Sequence, residues 1–232
     1  MNYVKELKII NVSKNYGDNL ILDKLNYSFQ TGKIYALLAP NGSGKTTFMR
    51  CISNLSSYKG VIVYNNFEIG THFNNEIVYS TYEPLFENSS LKVISYLRQV
   101  CKLKELDFSK IIIKFKKTQT YSLRNKACFS LSTGEKKIFQ LFLDLTTDPE
   151  VIIFDEPLNG LDFTVRSFVI SKIKDLSKLN KLIIFSTHIL SDLNGLVNEV
   201  LLIKDKKIIN HSVDDIENFY KKNFSNEEIS LT

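Results

Sequence analysis

Lys33-Ile34-Tyr35-Ala36-Leu37-Leu38-Ala39-Pro40-Asn41-Gly42-Ser43-Gly44-Lys45-Thr46-Thr47 is the stretch on which the fold turns. Residues 33–38 form a nearly continuous apolar run, as in a strand buried on both faces of a parallel sheet. A glycine-bearing loop follows, then Gly-Lys-Thr, then an amphipathic helical pattern over 44–55. Strand, loop, Gly-Lys-Thr and helix in this order make a phosphate-binding loop, the P-loop. Gly42 and Gly44 carry no Cβ, so backbone N–H groups can turn toward phosphate oxygens, together with those of Asn41 and Ser43. The helix aims its positive end at the same anion, with Thr47 in its first turn. Lys45 adds a mobile cation, and the Thr46 hydroxyl is a candidate magnesium ligand.

Working outward, the next informative stretch is Val151-Ile152-Ile153-Phe154-Asp155-Glu156-Pro157. Four apolar residues deliver two acids to a strand's carboxyl end, the usual ligand edge of an α/β sheet. Asp155 is a candidate to hold magnesium, and Glu156 to polarise a water as general base. Upstream, Leu131-Ser132-Thr133-Gly134-Glu135 precedes a helical pattern over 134–146. Ser-x-x-Glu is a capping box, which satisfies orphan donors at a helix start and by itself explains Ser132 and Glu135. The same helix end would favour an anion in front of it.

Further strands are expected at 7–12, 60–64, 77–80, 182–186 and 200–203, and helices at 91–102, 164–179 and 189–197. Strands alternating with helices indicate an α/β core. The middle stretch, 84–147, reads as helical, an inserted subdomain within a core made of 1–83 and 148–232.

Taken together, these motifs resemble the nucleotide-binding subunit of an ABC transporter over essentially the whole chain. LSTGE (131–135) is similar to the signature motif of that family, usually written LSGGQ. It follows APNGSGKTT (39–47) and precedes Asp155, in the family's order. Leu158-Asn159-Gly160-Leu161-Asp162 resembles the D-loop. Ser186-Thr187-His188 resembles the loop of the switch histidine, and Tyr16 matches the family's adenine-stacking aromatic. The resemblance implies an α/β fold: a P-loop NTPase core with a mainly parallel sheet, an N-terminal antiparallel β region and the inserted helical subdomain. It implies ATP and Mg2+ as ligands, and hydrolysis with Glu156 and His188 as catalytic residues. Ser132, Gly134 and Glu135 would face the nucleotide of a second subunit. The partners implied are a separate transmembrane permease and either a second copy of this chain or another ABC ATPase, at the cytoplasmic face of the membrane.

Three positions depart from the family. Ala39 stands at the P-loop's first glycine, and Thr133 at the signature's first glycine. At the Q-loop, Ile77-Val78-Tyr79-Ser80-Thr81-Tyr82-Glu83-Pro84 offers Tyr82 or Glu83 where the family has glutamine. Glu83 is the candidate to hold a magnesium-bound water. The surrounding YEPLFEN is similar to ATPases of bacterial exporters of drugs, peptides or bacteriocins. A soluble ABC-type ATPase without a transport role is the alternative class.

Composition narrows the classes. With 232 residues, 44% hydrophobic and 24% charged, the chain is globular in type. Its nine glycines and four prolines exclude a collagen-like or linker-rich chain. All four prolines (Pro40, Pro84, Pro149, Pro157) fall at motif edges. Cys51, Cys101 and Cys128 lack metal-ligand spacing, so free thiols in a reducing compartment are expected. The net charge is +5, but only 4 of the 30 basic residues are arginine, and lysines interleave with 25 carboxylates. That is a solvated surface, with no nucleic-acid partner expected. His72 and His211 are read as surface residues. No run has the length of a signal core or a membrane span.

Overall fold

A computed structural model describes residues 5–38, 40, 42–70, 76–81, 83–193 and 195–211. Ala39, Asn41, His72 and Tyr82, on which the sequence reading placed expectations, lie outside the described residues.

Two sheets form the α/β part. The first is antiparallel, in the order β2-β1-β4-β5, built from β1 (Glu6–Tyr16), β2 (Asn19–Gln30), β4 (Lys59–Tyr64) and β5 (Phe67–Glu68). Leu7 and Ile9 of β1 point inward with the period of two that a strand dictates, and then the inward position slips to Val12. The register shift between Ile9 and Val12, with Asn11 at φ 51°, is a bulge that resets the alternation.

The second sheet runs β10-β9-β3-β8-β7-β6, from β3 (Ile34–Leu38), β6 (Ile77–Ser80), β7 (Val151–Phe154), β8 (Leu182–Thr187), β9 (Glu199–Lys204) and β10 (Lys207–His211). Strands β9, β3, β8, β7 and β6 pair in parallel, and β10 folds back antiparallel on the edge. Every residue of β3, β7 and β8 is buried, which is why their sequences are continuous apolar runs rather than alternating ones. Asp205 and Lys206, at φ 50° and 63°, make the tight turn into β10.

Among the described residues there are five α-helices: α1 (Lys45–Ile52), α2 (Val93–Leu103), α3 (Phe108–Lys116), α4 (Thr133–Asp144) and α5 (Phe163–Lys178). One apolar cluster fills the space between the sheets and takes Phe48, Met49 and Ile52 from α1. Another lies on the opposite face of the parallel sheet, closed by Val169, Ile173 and Leu176 of α5. A third joins α2, α3 and α4 around Phe86, Phe115 and Phe139. In that cluster the rings of Phe86 and Phe139 lie 4.9 Å apart. All three cysteines are buried free thiols, and burial pushes the Cys51 thiol up to about 11.

The helix expected at 189–197 does not form. Among the described residues of this stretch only a short 3-10 turn, Leu190–Leu193, is present. Leu193 and Leu196 are buried, and Gly195 sits at φ 63°, a conformation that leaves the helical path. Asn198 then ties the chain to the start of β3, exchanging hydrogen bonds with both backbone groups of Ile34.

Candidate nucleotide site

The carboxyl ends of β3, β7 and β8 lie side by side, and the loops leaving them carry the candidate residues. After β3 the chain turns through Gly42 (φ 81°) and Gly44 (φ 99°) into α1. Gly44 is the N-cap of α1 and offers no side-chain cap, so no capping side chain claims the first-turn N–H groups. A Cβ on Gly44 would also stand 2.9 Å from Cγ2 of Ile21, on β2. Glycine is therefore required there twice, by conformation and by space.

Lys45 is buried, and its Nζ donates to the carbonyl of Pro40 at 2.9 Å. Burial lowers the ammonium's pKa, while the nearby charges of Glu156 and Asp155 act in the opposite direction. Thr46 is exposed on the first turn of α1, and its hydroxyl donates to Oδ2 of Asp155 at 3.1 Å. Thr47 follows, half-buried. Ser43 is also half-buried, its N–H donating to Pro40 at 3.3 Å.

Asp155 accepts from three hydroxyls. Oδ2 takes Thr46 and the phenol of Tyr79, the latter at 2.7 Å, and Oδ1 takes Ser186 at 2.7 Å. Ser186, fully buried near the end of β8, also accepts the backbone N–H of Glu156 at 2.9 Å. One serine thus orients two consecutive acids. Glu156 itself sits at φ 46°, a left-handed conformation that costs a non-glycine residue about 1 kcal/mol. Its Oε2 accepts from the Asn159 side chain at 2.9 Å, and its Oε1 lies 3.5 Å from Nδ1 of His188.

The remaining candidates stand apart from this group. Ser132 and Glu135 complete the capping box of α4: Glu135 N–H donates to Ser132 Oγ at 3.3 Å, and Ser132 N–H to Glu135 Oε2 at 3.0 Å. Lys126 adds an ion pair to Glu135 at 2.7 Å. Gly134 is needed for packing, since a Cβ there would lie 2.7 Å from Cγ2 of Val165 on α5. Tyr16 ends β1 half-exposed, its ring 4.8 Å from Nζ of Lys14. Glu83 is exposed and lines a depression of about 220 Å³ with Thr133, Lys136, Lys137 and Asn159.

Sequence reasoning passed over Tyr79 and gave Ser186 no role of its own. Ser186 had a legible signal, because a hydroxyl in an otherwise apolar, buried run must find a partner. Tyr79 had none, since an aromatic residue in a strand satisfies ordinary β-propensity.

Comparison with known proteins gives a consistent result. Residues 22–159 match the family described as ABC transporter. A lantibiotic transport ATP-binding protein of Streptococcus pyogenes is 30% identical over 205 residues, 88% of this chain and 89% of the relative. An uncharacterized ABC transporter ATP-binding protein of Methanocaldococcus jannaschii is 27% identical over 214 residues, 91% of this chain and 79% of the relative. Among solved structures, a nucleotide-free ATP-binding cassette from an ABC transporter superposes with a TM-score of 0.81, covering 97% of each chain at 18% identity.

Proposed function

The chain belongs to the ABC transporter family as an ATP-binding subunit with ATPase activity, and from that premise we propose that it powers export of a peptide, drug or bacteriocin-like cargo through a separate transmembrane subunit. The observation that carries the ATPase chemistry onto particular residues is the 3.1 Å contact between Thr46 and Asp155, in front of the open end of α1. Two hard oxygen donors beside a helix N-terminus suit magnesium, which keeps most of its shell as water and phosphate oxygens. Magnesium, when bound, supplies positive charge to the β and γ phosphates. Lys45 and the backbone of 42–47 bind the triphosphate, and Tyr16 is the residue for the adenine. Glu156 takes the proton of the attacking water, and His188, 3.5 Å from that carboxylate, stands by the γ-phosphate.

Two such subunits, two copies of this chain or this chain and a related one, would pair head to tail with the α4 end of one facing the nucleotide of the other. The γ-phosphate then distinguishes the closed pair from the open one, because ADP leaves one helix end without its anion. In this reading residues 84–147 are a helical subdomain set into the α/β core of 1–83 and 148–232. Among the described residues no helix is long and apolar enough to cross a membrane. The export direction draws on the lantibiotic-transport relative, and it implies work at the cytoplasmic membrane face.

The test is affinity purification of the tagged chain from its native membranes in mild detergent. A polypeptide with several spanning helices should co-purify, and adding it should raise ATP turnover several-fold over the isolated chain. Full turnover in isolation, with ribosomes as the only companion, would instead make this a soluble ABC-type ATPase.

A further inference from the structure

Of the three hydroxyls on Asp155, one comes from β6, the strand that leads into the Q-loop stretch and to which no role had been given. Tyr79 stands on β6, where the parallel register sets it against Ile153 of β7, two residues before Asp155. Its phenol donates to Oδ2 at 2.7 Å, shorter than the 3.1 Å bond from Thr46 to the same atom. Its side chain is half-buried and the phenol is directed at the carboxylate. Thr46 is different: the hydroxyl that binds Asp155 is the one expected to turn toward a cation. Once it turns, Tyr79 on Oδ2 and Ser186 on Oδ1 are the two hydroxyls left on the carboxylate. Donors on opposite oxygens fix the plane of the group, which a single donor would leave free to rotate.

We propose that Tyr79 is a positioning residue for the divalent cation: its phenol holds the plane of the Asp155 carboxylate and thereby sets the affinity of the site for Mg2+, without touching the nucleotide. This rests on the reading of Asp155 as the cation's carboxylate, so the experiment separates the two. The Tyr79 ring also lines an open cleft of about 640 Å³ with Arg50, Thr81 and Asp144, so removing its oxygen leaves no sealed cavity.

The measurement is ATP affinity by calorimetry, first in EDTA and then across a Mg2+ titration, for wild type, Tyr79→Phe and Asp155→Asn. Bound Mn2+ followed by electron paramagnetic resonance is a direct readout of the cation. Tyr79→Phe is expected to keep its EDTA affinity within twofold and to need about tenfold more Mg2+ or Mn2+ for half-saturation, as loss of a hydrogen bond to a charged group implies. Asp155→Asn should shift that midpoint further. A wild-type midpoint in Tyr79→Phe, with Asp155→Asn shifted, overturns the role of Tyr79 alone. A wild-type midpoint in Asp155→Asn overturns the reading of Asp155 and this proposal with it. An equal loss of affinity in EDTA and in Mg2+ makes the ring merely structural and also sinks the idea. Should Tyr79→Phe fail to fold, 3-fluorotyrosine placed at position 79 keeps the side chain. Its fluorine resonance must then move between ATP in EDTA and ATP with Mg2+, and an unmoved resonance counts against the proposal.

Discussion

Asp155 and Glu156 are adjacent carboxylates in unlike surroundings, and the contrast divides their labour. Asp155 accepts three hydroxyl hydrogen bonds, which suits a group that must hold one orientation. Glu156 is reached by one amide and by an imidazole at 3.5 Å, and its backbone is held at φ 46° by the turn to Asn159 and by Ser186. Strain of this kind persists where the surroundings over-determine a residue, and it is commonly found at reacting groups. Glu156→Gln keeps the side chain's size and its oxygen for Asn159 but removes the basic site. It is expected to bind ATP with an affinity near wild type and to hydrolyse it at least a hundredfold more slowly. Single-turnover hydrolysis and filter binding measure the two separately. Wild-type turnover in the variant would remove Glu156 from the chemistry.

At the scale of elements, α4 and α5 meet where Gly134 faces Val165 with no room for a methyl group. Gly134→Ala would drive a Cβ to 2.7 Å from Val165 Cγ2, so one helix must move. Overpacking of this kind costs about 1–3 kcal/mol. The expected result is a clear fall in melting temperature that the double variant Gly134→Ala/Val165→Ala largely restores. If the second substitution makes matters worse, the constraint at Gly134 lies elsewhere, for example in the nucleotide-facing role of the motif. The same elements show what was legible in advance. Fully buried β3, β7 and β8 are readable because a strand covered on both faces must be apolar throughout, and the capping box of α4 because it is local chemistry. Strand β2 is not legible in the sequence. Its buried residues Leu22, Leu25 and Phe29 are spaced by three and four, like one face of a helix, because Lys24 at φ 49° disrupts the alternation. In the site, residues within motifs could be named from sequence. The Tyr79 bond could not, because it depends on β6 lying beside β7, a pairing between segments more than 70 residues apart.

For the molecule as a whole, the response of stability to pH combines opposing carboxylates. Glu150, paired with Lys5 and Tyr64, and Glu199, paired with Lys33 and Tyr27, have pKa values below normal despite partial burial. They add stability above the ordinary carboxylate range, and it is lost as pH falls through their folded values. Asp144 works the other way. It is buried on α4 beside the large cleft, where Oδ1 accepts from Gln140 at 2.8 Å and the hydroxyl of Ser80 on β6 stands close by. Burial pushes its pKa from 3.8 up to about 6, although the Ser80 hydroxyl and then the charges of Lys104 and Lys137 pull it down. Between these two values the folded chain keeps a proton that the unfolded chain has released. The contribution of Asp144 is therefore most favourable below about pH 4 and declines as pH rises through about 6, by on the order of 3 kcal/mol. Asp144→Asn removes that decline while keeping an oxygen for Gln140. Urea unfolding of both proteins from pH 4 to pH 8 isolates the effect, because the other carboxylates cancel in the difference. The asparagine variant is expected to gain on wild type steadily from pH 4 to pH 6 and to hold a constant advantage above that. Parallel stability curves across the whole range would mean that Asp144 is ionised in the folded protein at pH 4, with its charge compensated by the two lysines.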